Sequence, residues 1–370
     1  MNLSKVLIVL CAGVFTSACL SAQPATASSS ASRKWDSKTA AAYLDARITW
    51  WMDWPSAARD HGTFCVSCHT AVPYAIARPA LWSSAGEHGP SVLERRLLDN
   101  VAKRVRMWKV VGPFYPTKKE TDPKTVESRG TESILNALIL ARYDEATGKL
   151  SADARLALDN MWSEQLKAGD ERGAWSWLQF HNSPWEGDSQ YLGATLAAIA
   201  VGTAPGNYRN SPEIQGGLKL LSEYLVREQA SQIPVHRAML LWAAAILPGL
   251  LTAEQRKSIV DDTLSRQQLD GGFSLSYFVG GWKRRDNTPL DARSDGYATG
   301  LVVYTLRKAG VTGHELELKR GVDWLALNQQ TEGNWVAWSL NKQRDPASDA
   351  GHFMTDAATA FAALALADGK

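Results

Sequence analysis

The chain has 370 residues, a formal net charge of +2, 45% hydrophobic and 21% charged residues. That balance belongs to a folded protein with a sizeable core and excludes a disordered chain. Near-neutral charge with no basic block argues against nucleic acid as a partner.

The N-terminus reads as an export signal. Lys5 precedes an apolar run from Val6 to Phe15, about ten residues and too short to span a bilayer. Ala25-Thr26-Ala27 supplies a small-x-small cleavage site, which makes 1–27 a signal peptide and 28–36 a flexible leader. Ser17-Ala18-Cys19 offers a second reading, in which Cys19 is lipidated and anchors the chain. Either route predicts a periplasmic or secreted protein. No later run reaches the ~18 uninterrupted apolar residues of a membrane span.

Cysteine usage isolates one motif. The sequence holds 4 Cys, and removing the leader leaves only Cys65 and Cys68, in Cys65-Val66-Ser67-Cys68-His69. C-x-x-C-H is the attachment sequence of a covalent c-type haem. The two thiols add to the haem vinyl groups, and the adjacent imidazole becomes the proximal iron ligand. On a helix the three residues would share one face. Other readings stay open: a redox disulfide, which normally sits in a βαβ context; a zinc site, which needs a fourth ligand; and a structural disulfide, which needs no His.

Helical stretches then follow in pairs. Amphipathic members run from Lys38 to Trp51, Val92 to Val110, Ala152 to Leu166, Gln215 to Gln229, Ala253 to Gln268 and Leu316 to Gln329. Each is followed by a far more apolar helix, beginning near Val66, Glu132, Ser189, Val235, Gly296 and Asp356. A Gly-x-aromatic step lies between many of them, at Gly62, Gly112, Gly173, Gly271 and Gly333. Apolar helices inside and amphipathic helices outside pack as two rings, so six pairs over 37–370 predict an all-α (α/α)6 toroid.

Arg320-Gly321-Val322-Asp323-Trp324-Leu325, Gln329 and Gly333-Asn334-Trp335 together resemble the QW repeat of squalene and oxidosqualene cyclases and prenyltransferase β-subunits. Gln165 with Gly173 and Trp175, Gln268 with Gly271 and Phe273, and Tyr224-Leu225 with Gln229 look like partial copies. The resemblance implies the toroid, with each Gln capping a helix near its Trp, a role that absorbs many of the 15 Trp. It does not extend to the chemistry. The cyclase Asp-x-Asp-Asp acid is absent, Asp261-Asp262 being nearest, and no Cys after Cys68 completes a prenyltransferase zinc set.

In the repeat frame, Cys65, Cys68 and His69 fall at the start of the first inner helix, at one mouth of the ring. Glu132, Asp188, Asp295 and Asp356 open other inner helices there. They read either as helix caps or as an acidic ring with a catalytic proton donor or acceptor. Ring closure brings His352 and Met354 beside the haem as alternative distal ligands. His181 and His236 read as structural, and Met107 as packing. The functions that follow are redox chemistry or sensing on an apolar, isoprenoid-like ligand in the central cavity; electron transfer to a redox protein with the toroid as scaffold; or polysaccharide processing without haem.

Overall fold

The computed structural model describes residues 35–116, 122–186 and 189–367. The expected signal peptide with Cys19 and the leader up to residue 34 lie outside them, as does Asp188; Asp36, expected in the leader, instead caps the first helix. Twelve α-helices are present among the described residues, and they alternate between two environments. The outer six are α1 (Ser37–Asp53), α3 (Val92–Arg106), α5 (Ala152–Ser163), α7 (Gln215–Glu228), α9 (Ala253–Leu264) and α11 (Glu315–Asn328). The inner six are α2 (Ala71–Ala85), α4 (Pro123–Thr147), α6 (Tyr191–Thr203), α8 (Pro234–Ile246), α10 (Gly296–Lys308) and α12 (His352–Ala367).

Each inner helix packs on the next, from α2 through α4, α6, α8 and α10 to α12. α12 also packs against α2, so the ring closes as an (α/α)6 toroid. The composition explains the layering. Almost every residue of α6, α10 and α12 is buried, because each faces both the ring centre and the outer shell. α3, by contrast, buries one stripe and is closed by a Ser91–Glu94 capping box. The only strands among the described residues are β1 (Ala58–Arg59) and β2 (Thr63–Phe64), a two-stranded ribbon before the cysteines.

Glycine permits a close approach within the inner ring. A Cβ on Gly300 of α10 would stand 2.5 Å from the Ala362 backbone nitrogen of α12. The Ala-rich face of α12 and Gly300 together let these two helices pack more closely than larger side chains would permit. None of the described helices is long and apolar enough to cross a membrane.

The QW elements act as ties between outer helices. Gln165 Nε2 donates to the carbonyls of Gly173 and of Gly217 on α7, at 3.0 and 2.9 Å. Gln329 Nε2 does the same to Gly333 and to Asp36, the N-cap of α1, at 3.1 and 2.8 Å. In the fifth repeat the tie is Gln267, not Gln268: it reaches Gly271 at 2.9 Å and Glu317 of α11 at 2.8 Å. Gln267 stands four residues before its glycine, as Gln329 does before Gly333. Trp175 and Trp335 are fully buried, and their indole N–H groups end the preceding helices by donating to Met161 and Leu325 carbonyls at 2.6 and 2.8 Å.

Candidate functional site

The cysteine motif precedes the first inner helix rather than starting it. α2 begins at Ala71, and Cys65 to Thr70 form an irregular segment and turn between β2 and α2. The expected helical i, i+3, i+4 face is therefore not formed. The segment is held by Trp51 Nε1, which donates to the Cys65 carbonyl at 2.7 Å, and by Ser67 Oγ, which accepts from the Thr70 and Ala71 amides at 3.2 and 3.0 Å. Both sulfurs are free. Burial pushes the Cys65 thiol up to about 12 and the Cys68 thiol well above its usual range. Both are therefore thiols at neutral pH.

His69 sits in an aromatic cage. Its ring stacks on Phe353 at 3.7 Å and meets Trp51 edge-on at 5.0 Å, with Trp185 at 5.8 Å. Burial lowers its pKa to about 3, helped by the nearby Arg47 and Arg344 charges, so the imidazole is neutral.

Hydrogen bonding decides which nitrogen carries the proton. Thr70 Oγ1 donates its single hydrogen to Asp356 Oδ2 at 2.7 Å, and lies 2.9 Å from His69 Nδ1. Nδ1 must then be the donor to Thr70, and Nε2 keeps the lone pair. Asp356 is anchored in turn: Tyr43 OH and Arg47 Nε donate to its Oδ1 at 3.0 and 2.8 Å. Burial pushes the Asp356 carboxyl up, against the pull of Arg47, Thr70 and Tyr43. An imidazole fixed through its far nitrogen by a hydroxyl–carboxylate relay is how a metal-binding histidine is commonly oriented.

The predicted acids among the described residues are each held by partners. Asp356 is neither cap nor free acid but the end of this relay. Glu132 does not open a helix, because α4 starts at Pro123; it is wholly buried in a two-point ion pair with Arg104, at 2.6 and 3.0 Å. Asp295 caps α10, accepting from the Ala298 and Leu275 amides at 2.8 and 2.6 Å. Asp188 lies outside the described residues. Asp261 and Asp262 lie on the outer helix α9, paired with Lys257 and Arg266. His181 stacks on Trp282 at 4.1 Å, and His236 is buried on α8.

Two cavities meet the motif. One of about 30 Å³ occupies the ring centre, lined by Cys68, Val72, Leu196, Met239, Tyr297 and Phe361. A second of about 130 Å³ lies at the mouth, lined by His69, Tyr115, Glu186, Arg344, Phe353 and Met354. Trp185 lines both and separates them. Met354 thus shares a cavity with His69, whereas His352 opens onto a neighbouring one. Glu186 was not singled out by the sequence; burial raises its carboxyl to about 7, against Asn182 and Lys124. A larger groove of about 530 Å³ lies outside the ring, between α3 and α5, away from the cysteines.

The donor set suits a covalent haem: two unbonded thiols, an imidazole with Nε2 available, and aromatic walls. No cluster of three or more His, Cys, Asp or Glu among the described residues could hold a metal ion. Drug-sized ligands occupy roughly 300 Å³ or more. Neither cavity reaches that.

No model of a known protein family matches the chain, and no curated protein matches it. Among solved structures, a glycosidase variant in complex with glucose and a further glycosidase variant are 14% identical, each with a TM-score of 0.45. Both alignments cover 90% of this chain and 96% of the other. At these values the likeness says nothing of this chain's activity.

Proposed function

We propose that the protein is an exported redox or sensing protein in which Cys65 and Cys68 carry a haem through thioether bonds and His69 is its proximal ligand. The observation that carries this reading is the His69–Thr70–Asp356 relay, which leaves the Nε2 lone pair on an imidazole that directly follows two free thiols in the chain. A haem supplies one-electron chemistry or ligand binding at its iron. This chain's residues hold and orient it: Thr70 and Asp356 fix the imidazole, Trp51 and Phe353 cage it, and Met354 stands as the distal candidate in the same cavity. His352 is the alternative. The export leader read in the sequence matches the compartment in which such haems are attached.

The ring-centre space of about 30 Å³ corresponds to about one water and holds neither an isoprenoid-like ligand nor a haem. Polysaccharide cleavage draws on two carboxylates about 5–9.5 Å apart. Among the described residues of the mouth cavity, Glu186 is the single carboxylate.

The test is the absorption spectrum and pyridine haemochrome of the chain made with cytochrome c maturation proteins. Covalent haem that disappears in Cys65→Ser and Cys68→Ser supports the assignment. A colourless protein of full mass, with both thiols titratable or joined in a disulfide, overturns it.

A further inference from the structure

Arg344 differs from the other buried or half-buried guanidinium groups of the inner ring and its mouth. Arg47, Arg78 and Arg104 each pair with one or more carboxylates. Arg344 is half-buried, yet has neither a carboxylate nor a hydrogen-bond acceptor among the described residues. It lines the mouth cavity of about 130 Å³ and also an adjoining one of about 230 Å³, with Ser339 common to both. The second cavity is walled by Gln330, Asn334, Trp338 and His352 and lies over the N-terminal turn of α12. His352 Nδ1 is buried there without a partner. Glu186 faces the first cavity and the exposed Glu332 rims the second, but neither is paired with Arg344.

A cation withdrawn from water without an acceptor is costly unless something supplies one. We infer that this double cavity is a binding site for a small organic oxyanion, a carboxylate or a phosphate, gripped by the Arg344 fork with His352 as second donor. The positive end of α12 adds to the attraction, and Trp338 offers an apolar wall for the rest of the molecule. Where a haem fills the mouth cavity, the inference rests on Met354 rather than His352 being its distal candidate and on the outer cavity of about 230 Å³ staying open beside it.

The test is calorimetric titration of the full chain, made with and without haem maturation, using benzoate and inorganic phosphate as probes. Saturable binding of either probe to at least one form, weakened about tenfold or more in Arg344→Gln, supports the site; a charge-assisted pair of this kind commonly contributes that much. The probe that binds names the headgroup. Lys342→Gln, exposed and two residues away, should leave the binding unchanged. Arg344→Lys, which keeps the charge and loses the fork, should fall between. Melting curves that match the parent rule out a folding defect. No saturable heat up to about 10 mM for either probe, or affinity untouched by Arg344→Gln, overturns it.

Discussion

Gln329 binds both polar groups of the Asp36 backbone: its Oε1 accepts from the Asp36 amide at 2.7 Å, and its Nε2 donates to the Asp36 carbonyl at 2.8 Å. This is where the last outer helix is tied to the first, across almost the whole chain. Gly333 completes the seam. Its φ is +91°, and a Cβ there would stand 2.2 Å from the Thr39 carbonyl oxygen. Gln329→Ala removes the paired bonds and should destabilise the fold by about 2 kcal/mol. Gly333→Ala adds steric overlap to an unfavourable φ and should cost more, about 3 kcal/mol or above. Urea denaturation of the two variants checks the order; a Gly333→Ala chain as stable as the parent would show that the seam is open.

The Thr70 hydroxyl is the hinge of the haem assignment. Thr70→Val keeps the shape and removes the link between His69 Nδ1 and Asp356. The imidazole proton is then free to move to Nε2, the nitrogen the iron needs. The variant should lower haem retention or shift the haem potential, while Thr70→Ser restores both. Nitrogen NMR of the haem-free chain reads the same event directly, as a change in the His69 tautomer. An unchanged tautomer in Thr70→Val would mean that something other than Thr70 sets it.

Glu132 was a candidate acid because of its place in the repeat; its surroundings make it a strut. Arg104 joins it to Thr63 Oγ1 at 2.7 Å and the Gly112 carbonyl at 2.6 Å, so one guanidinium fastens α3, α4, β2 and the loop after α3. Glu132→Gln leaves Arg104 buried with its main counter-charge gone and should cost about 3–5 kcal/mol. Any redox or binding function should persist in whatever fraction folds. Near-parental stability with lost function would return Glu132 to the catalytic list.

The architecture was legible because it rests on periodicity. Six amphipathic and six apolar segments, spaced by Gly-x-aromatic steps, permit few packings, and the closed ring follows. Boundaries were less so. The first turns of α4, from Pro123 to Ser128, are polar and charged, so the apolar signal begins only near Glu132. The Cys65–His69 segment carries helix-compatible residues, but the Trp51 and Ser67 bonds hold it as a turn. Thr70 and Arg344 gave no signal at all. Their roles depend on partners, or the lack of them, hundreds of residues away or on other loops, and no local pattern encodes that.

Asp295 and His236 tilt the pH dependence of stability in opposite directions. Burial raises the Asp295 carboxyl to about 7, from about 3.9 in the unfolded chain. The folded state therefore holds its proton more tightly, and that contribution is complete at low pH and lost as pH rises from about 4 through about 7. Burial lowers the His236 imidazole to about 4, against its bond to the Pro184 carbonyl, so its contribution is complete above about 6.5 and lost as pH falls towards about 4. Asp295→Asn, whatever its constant cost as a weaker cap, should gain about 4 kcal/mol relative to the parent between pH 4 and pH 8. His236→Gln should gain in the opposite direction. Urea denaturation at the two pH values separates them. A difference from the parent that is the same at both would mean that the residue titrates alike in the folded and unfolded chain.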